Sequence, residues 1–341
     1  MLHPFQTEAI ARLRAPSVHL ALTAPTGSGK GRILEAIALG TAERILVVTP
    51  LVALGRQQRL RFRAIGIPDG RVRILGPESL LNRAREIRAW RPTFVAVDEA
   101  HCIHEWGERF RPAYDRLLRF LRELGCPRSL WMSATFPRAL YARIRAEIPG
   151  DWRTQGAFAL PTRLETRFAR VSPVERVERL RDHVSARPEP GLLFVGTRKD
   201  VGRYLGVFGD GRPFLPYHAG MSDEERRGVE ALLHRERDGE ARTSVVATNA
   251  FGMGMDFPQF RWTALAGAPY SLLALMQAMG RVGRAGRAGE AALYWAEEDF
   301  RFGGLLLGTG DPRATSALAD LRAYLEAPAE MRPGIASEVF L

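Results

Sequence analysis

Residues Val18–Gly40 read VHLALTAPTGSGKGRILEAIALG. An apolar run of strand character, VHLALTA, enters the loop APTGSGKG (Ala24–Gly31), and a helical pattern, ILEAIAL, follows directly. Strand, glycine-rich loop and helix in that order make a phosphate-binding loop. Gly27 and Gly29 let backbone N–H groups wrap around an anion, the helix N-terminus adds positive potential, and Lys30 reaches the outer phosphate oxygens. Thr26 and Ser28 complete the cradle. An ordinary glycine-rich turn is the alternative, and the flanking strand and helix argue against it. The position after the lysine normally offers a Ser or Thr hydroxyl to Mg²⁺, and here it is Gly31. Either water takes that coordination place, or magnesium binding and turnover are weakened.

Outward from this stretch, apolar runs alternate with helical patterns: ILVVTP then ALGRQQRLRFRAI, TFVAVDEA then AYDRLLRFLREL, SLWMSAT then RALYARIRAEI. This βαβ rhythm implies a parallel sheet with helices on both faces. It breaks at PGDWRTQGAFALPTRLETRFARVSP, a polar and proline-bearing stretch read as the crossing between two lobes. A second rhythm follows, with GLLFVGT, FLPYHAG, TSVVAT, WTALAGA and EAALYWA as strands, and VERVERLRDHV, DEERRGVEALLH and SLLALMQAMG as helices. The expected divisions are 1–155 for the first lobe, 156–173 for the linker, 174–308 for the second lobe, and 309–341 for a short helix and tail.

The bulk numbers agree with two lobes. A chain of 341 residues, 46% hydrophobic, holds apolar material for two compact cores of roughly 150 residues each. The two cysteines, Cys102 and Cys126, stand in no CxxC pattern, so cysteine builds neither a zinc site nor a disulfide framework. The 49 basic against 38 acidic residues leave +11, which favours a polyanionic partner, although an ordinary basic surface stays open on charge alone. No apolar run approaches the roughly 18 residues of a membrane span, and MLHPFQTEAIARL carries no signal sequence, so a cytoplasmic protein without membrane contact is expected.

A second site signal lies downstream of the loop. The apolar run FVAV delivers Asp98, Glu99, Ala100 and His101 at its C-terminal end, where open parallel sheets bind ligands. Asp98 is suited to holding Mg²⁺ through its water shell, and Glu99 to polarising an attacking water for in-line displacement. Two solvated acids capping a strand are the alternative.

The block VAVDEAHCIHEWGERFRPAY (Val95–Tyr114) resembles motif II and the aromatic-rich loop of RecQ-type helicases within superfamily 2. The resemblance implies an α/β chain of two tandem RecA-like domains, each a parallel sheet with helices on both faces, using ATP and Mg²⁺. It implies that the loop senses single-stranded DNA, with Trp106 and Phe110 offering stacking faces and Arg109 and Arg111 meeting phosphate. His104 and Glu105 replace the family's usual Ser and Gln.

Further segments are similar to the remaining family motifs. LHPFQ (Leu2–Gln6) is similar to the adenine-reading segment, in which Gln6 can pair with both edges of adenine. VVTPLV (Val47–Val52), with Pro50, is similar to motif Ia, and Ser133, Ala134 and Thr135 to motif III. Phe194, Thr197 and Arg198 resemble motif IV, and YHAGM, with His218, the following segment. VATNAFGMGMDFP (Val246–Pro258), with Thr248 and Asn249, matches motif V except for Asp256, where the family usually has Asn. Pro50, Arg198, His218, Thr248 and Asn249 are thereby implied in strand contact. QAMGRVGRAG (Gln277–Gly286) matches motif VI, which assigns Gln277 to the ATP site and makes Arg281 and Arg284 arginine fingers; Ala285 replaces the usual Asp.

The function implied is ATP-driven 3′ to 5′ movement on single-stranded or tailed duplex DNA, with unwinding; RNA is the less favoured substrate. The family's zinc module and winged helix have no counterpart in the sequence, so a protein partner or residues 311–341 are candidates for a strand-separating wedge. Two alternatives remain: an ATPase that translocates or remodels without unwinding alone, and a nucleotide-gated binding clamp. Oligomeric state is open.

Overall fold

The computed structural model describes residues 2–50, 52–105, 112–208, 213–236, 242–251, 257–284, 286–307 and 312–341. The chain divides into two compact units, Met1–Ala159 with Ala336–Leu341, and Leu160–Ile335.

The elements of the first unit are α1 (Pro4–Arg12), β1 (Val18–Thr23), α2 (Gly31–Gly40), β2 (Ile45–Val48), α3 (Val52–Ala64), β3 (Val72–Leu75), α4 (Pro77–Asn82), α5 (Ala84–Trp90), β4 (Phe94–Val97), α6 (Cys102–Glu105), α7 (Ala113–Leu124), β5 (Arg128–Ser133), α8 (Arg138–Glu147) and β6 (Trp152–Gln155). The strands form one sheet in the order β3-β2-β4-β5-β1-β6, every neighbouring pair parallel. Strands covered on both faces read as near-continuous apolar runs. Every residue of β1, β2 and β4 is accordingly buried. Helix α2 turns Ile33, Leu34, Ile37 and Ala38 inward at helical spacing, and they join Leu20, Leu22, Ile45, Val47 and Phe94 in one core.

In the second unit the elements are β7 (Leu164–Arg170), α9 (Pro173–Ser185), β8 (Gly191–Phe194), α10 (Arg198–Phe208), β9 (Phe214–Tyr217), α11 (Asp223–Glu236), β10 (Ser244–Ala247), β11 (Trp262–Leu265), α12 (Leu272–Met279), β12 (Gly289–Trp295), α13 (Glu297–Leu307) and α14 (Pro312–Glu326); α15 (Arg332–Val339) begins in this unit and ends among the residues 336–341 assigned to the first. Its sheet runs β7-β12-β11-β8-β10-β9, again all parallel. The core gathers Leu193, Val246, Trp262, Ala264 and Ala292 beneath Leu180, Val184, Val201 and Tyr204. The Trp262 indole lies flat on Gly191, where any Cβ would overlap its ring, and its Nε1 donates to the Glu189 carbonyl at 2.9 Å.

All nine strands read from the sequence are present, and the fold class is as expected. The structure adds β3, β6 and β7. Strand β7 lies inside 156–173, the stretch read as a linker, and pairs with β12 from Leu164 to Arg170. Its sequence, LETRFAR, is an edge strand with mostly exposed residues and no apolar run to announce it. The two compact units consequently meet in sequence between Ala159 and Leu160.

Beyond 309, two helices rather than one are present, α14 and α15, and the last residues join the first unit. Phe340 pairs with Pro137 in an antiparallel bridge, Leu341 N–H donates to the Phe136 carbonyl at 2.9 Å, and Phe158 N–H donates to the Leu341 carbonyl at 2.6 Å. Phe340 is 1% exposed and its ring meets that of Phe158 at 4.9 Å. Truncating a buried phenylalanine typically costs 3 to 5 kcal/mol. Phe340→Ala should therefore lower the unfolding free energy of the first unit by about 3 kcal/mol, read by chemical denaturation.

Among buried groups of the second unit, His183 packs edge-on against Trp262 with ring centroids 5.5 Å apart, and its Nδ1 lies 3.3 Å from the Tyr294 hydroxyl. Burial, with the Arg187 guanidinium beside it, pushes the imidazole down to about 4. The folded unit thus holds His183 neutral while the unfolded chain takes up a proton near pH 6.5. Stability from this group is complete above about pH 6.5 and declines as pH falls toward 4. His183→Gln should flatten that decline in thermal melts between pH 7 and pH 4.5.

Candidate functional site

Parallel sheets bring the C-terminal ends of their strands to one edge, and in the first unit that edge carries the sequence-derived site residues. The phosphate loop leaves β1 there and runs into the N-terminus of α2 at Gly31. Gly27 and Gly29 adopt φ of 80° and 82°, the left-handed backbone that glycine alone reaches without strain. Lys30 Nζ donates to the carbonyls of Ala24 at 2.8 Å and Pro25 at 3.1 Å, so its ammonium is held over the loop. The Gln6 amide is buried, donates to the carbonyls of Gly29 at 2.9 Å and Ser28 at 3.3 Å, and accepts from His3 N–H at 2.8 Å. Gln6 therefore clasps the phosphate loop in this structure. Thr26 and Ser28 lie on the same loop, half-buried.

Strand β4 ends at the same edge with Asp98 and Glu99. Asp98 accepts from Glu99 N–H at 3.0 Å through Oδ1 and from Gln58 Nε2 at 2.6 Å through Oδ2. Burial first, and then the charge of Glu99, push its carboxyl up to about 6 against the opposing pull of Lys30. Glu99 has φ 49°, a strained conformation for a residue with a side chain, and its Oε2 lies 3.4 Å from His101 Nδ1. The same nitrogen is 2.9 Å from Ser133 Oγ, and that hydroxyl oxygen accepts from Thr135 N–H at 3.0 Å. Glu99 is thus joined to Ser133 and Thr135 through His101.

Among the described residues no three His, Cys, Asp or Glu side chains converge on a metal position. Asp98 still fits Mg²⁺, which is commonly held by one or two carboxylates together with substrate phosphates and water. It is a hard oxygen donor, half-buried rather than sealed.

The second unit repeats the edge arrangement. Arg198 opens α10 after β8, His218 follows β9, and Thr248 and Asn249 follow β10, three strands adjacent in the sheet. Thr248 N–H donates to the Tyr217 carbonyl at 3.1 Å, which ties the β10 loop to β9. The Arg198 guanidinium covers Gly220, where a Cβ would stand 2.7 Å from Nη1. Thr197 Oγ1 donates to Asp200 at 2.6 Å and steadies the turn that presents Arg198. Gln277 lies on α12, whose N-terminus is capped by Ser271, and Arg281 and Arg284 follow it; Arg284 Nε donates to the Gly280 carbonyl at 2.7 Å.

Pro50 follows β2 at the first unit's edge and is buried. Trp106, Arg109, Phe110 and Arg111 of the aromatic loop lie outside the described residues, as do Asp256 and Ala285. Gln58, on α3, was not legible as a site residue. Nothing in ALGRQQRLRFRAI marks one glutamine for a carboxylate two strands away in sequence; only the fold brings them together.

Residues 74–142 match the DEAD/DEAH box helicase family, and residues 175–286 match the helicase conserved C-terminal domain. The chain is 29% identical over 331 residues to ATP-dependent DNA helicase Q4 of Mus musculus, spanning 81% of this chain and 27% of that protein. Against ATP-dependent DNA helicase RecQ of Haemophilus influenzae it is 27% identical, spanning 81% and 48%, and against that of Bacillus subtilis 28% identical, spanning 86% and 54%. It covers less than two thirds of the length of each of these relatives. In fold it is similar to S. cerevisiae Dbp5 bound to RNA and ADP BeF3, with TM-score 0.69 and 17% identity over 98% of this chain and 91% of that one. The same TM-score of 0.69, at 18% identity, relates it to Mss116p bound to ssRNA and AMP-PNP, over 88% and 71% of the two chains. The chain thus carries matches to the DEAD/DEAH box helicase model and to the helicase conserved C-terminal domain, and it is similar in sequence to helicases named RecQ and Q4. Among the described residues no helix is long and apolar enough to cross a membrane.

The last strand of the first unit also constrains the site. Gly156, just past β6, has φ 80°, and a Cβ there would overlap the Thr23 carbonyl immediately before the phosphate loop. Gly156→Ala should cost about 2 kcal/mol or more, visible as a lowered melting temperature of the first unit.

Proposed function

We propose that this chain is the motor core of an ATP-dependent DNA helicase, which couples ATP hydrolysis to 3′ to 5′ movement along single-stranded DNA and to duplex unwinding. The observation that carries the reading is the convergence of the phosphate loop, Asp98 and Glu99 at one edge of a parallel sheet. The names of the relatives favour DNA. The similar solved structures that hold RNA are of proteins below 20% identity, which supports the fold and not the substrate.

On this reading the amides of Gly27–Gly31 and the Lys30 ammonium bind the β- and γ-phosphates. Mg²⁺, when bound at Asp98, offsets the charge developing on the phosphates. Glu99 orients the water for in-line attack and takes up its proton. Gln277 senses nucleotide, while Arg281 and Arg284 stabilise the charge on the transferring γ-phosphoryl group. Arg198, His218, Thr248, Asn249 and Pro50 contact the strand backbone, which makes tracking tolerant of sequence. Trp106, Phe110, Arg109 and Arg111 sense the strand and couple its binding to turnover. The site of action is the cytoplasm, and a partner protein is proposed to supply the strand-separating wedge.

ATPase assays without nucleic acid, with single-stranded DNA and with RNA test substrate and site together. DNA should stimulate the wild type, and Lys30→Ala and Glu99→Gln should each lower turnover about 100-fold or more. Stimulation by RNA alone would move the substrate. A wild-type rate equal to that of Lys30→Ala would leave only a nucleotide-gated clamp. Strand displacement on 3′-tailed but not 5′-tailed duplexes is the expected polarity, and ATPase without displacement would reduce the chain to a translocase.

A further inference from the structure

Helix α3 follows motif Ia and has no part in the reading above. Its residues Gln58 and Arg61 are three apart, so they share one helix face. That face is turned toward the phosphate loop and the end of β4. Gln58 is 8% exposed, and its Nε2 donates to Asp98 Oδ2 at 2.6 Å. A carboxylate can only accept there, so the amide nitrogen must face Asp98 and the amide oxygen must face away. Gln58 Oε1 is buried and has no hydrogen-bond partner among the described residues. A buried acceptor beside a metal-holding carboxylate is suited to water in a metal's hydration shell. A neutral amide also steers the carboxylate without cancelling its charge, as a lysine would.

Arg61 lies at the other half of the site. Among the described residues, and apart from its chain neighbours and its own helix backbone, a Cβ built on Gly31 meets only Arg61 Nη1, at 3.8 Å. Position 31 is where phosphate loops ordinarily carry the hydroxyl that reaches the metal. Here the side chain is missing and a guanidinium from α3 borders the vacated space. Guanidinium donors match phosphate oxygens in geometry and charge.

We propose that α3 completes the nucleotide site of this chain: Gln58 positions the metal-holding carboxylate of Asp98, and Arg61 contacts a nucleotide phosphate in the room left by glycine at position 31. This rests on the reading of the phosphate loop as an ATP site. Gln58 acts through Asp98 and is a positioning residue; Arg61 touches the nucleotide.

The test is equilibrium binding of a fluorescent ATP analogue to the full chain, in EDTA and across a Mg²⁺ titration, with melting curves for each variant. Gln58→Met, close in shape, should raise the Mg²⁺ concentration for half-maximal effect about 10-fold and leave affinity in EDTA unchanged. Gln58→Glu, which puts a second acid beside Asp98, should also shift the Mg²⁺ requirement. Arg61→Gln should weaken binding in EDTA about 10-fold, and because Arg61 is exposed that variant should melt as the wild type does. Adding Gly31→Ser to Arg61→Gln should restore Mg²⁺-dependent binding, since the hydroxyl then serves where the guanidinium did. An unchanged Mg²⁺ requirement in both Gln58 variants overturns the role of Gln58. Wild-type affinity in Arg61→Gln, or independent effects of the substitutions at 31 and 61, overturns that of Arg61. Failure of the wild type itself to bind the analogue would instead overturn the ATP reading, so the two failures are distinguishable.

Discussion

The end of β5 is the constraint from which the first unit's site is built. Its last two carbonyls each receive an amide from a different functional loop. Ser133 O accepts from Ala24 N–H at 3.1 Å, where the phosphate loop begins, and Met132 O accepts from Ala100 N–H at 2.9 Å, just beyond the acidic pair. Because β5 lies between β4 and β1 in the sheet, it sets the distance between phosphate loop and carboxylates. The same residue adds a side-chain link, since Ser133 Oγ meets His101 beside Glu99. A shift in the register of this one strand would separate the two loops.

The electrostatics of the edge follow from that spacing. Asp98 and Glu99 are consecutive acids at a buried strand end, a costly arrangement in the absence of opposing charge. Burial and mutual repulsion raise the Asp98 carboxyl, while Lys30, the Glu99 amide and Gln58 work in the other direction. Strain is concentrated at the same place, in the positive φ of Glu99. The surrounding strands hold that conformation because Ala100 N–H and Asp98 N–H are both committed to neighbouring strands.

The second unit uses the same parallel architecture for different groups. Its β8, β9 and β10 ends present arginine, histidine, threonine and asparagine in place of paired acids. Paired carboxylates and a lysine stand at the strand ends of one unit, and an arginine with neutral polar side chains at those of the other.

Much of this was legible in the residues. Apolar runs such as ILVVTP and GLLFVGT announce strands buried on both faces, and APTGSGKG and the Asp98–Glu99 pair mark strand ends that meet at one edge of the first sheet, because local patterns dictate local structure. Edge strands β6 and β7 were silent, since a strand with a wet face carries charged residues and no continuous apolar run. The reach of Gln58 to Asp98, the clasp of Gln6 on the phosphate loop, the Arg61 guanidinium beside Gly31 and the return of Phe340 to the first unit were equally silent. Each joins residues far apart in the chain, and no local pattern records such a meeting. The sequence by itself determined two parallel sheets and the residue types at their edges. Tertiary structure alone decided which distant side chains hold those residues in place, because that depends on strand order and register, which the chain acquires only on folding.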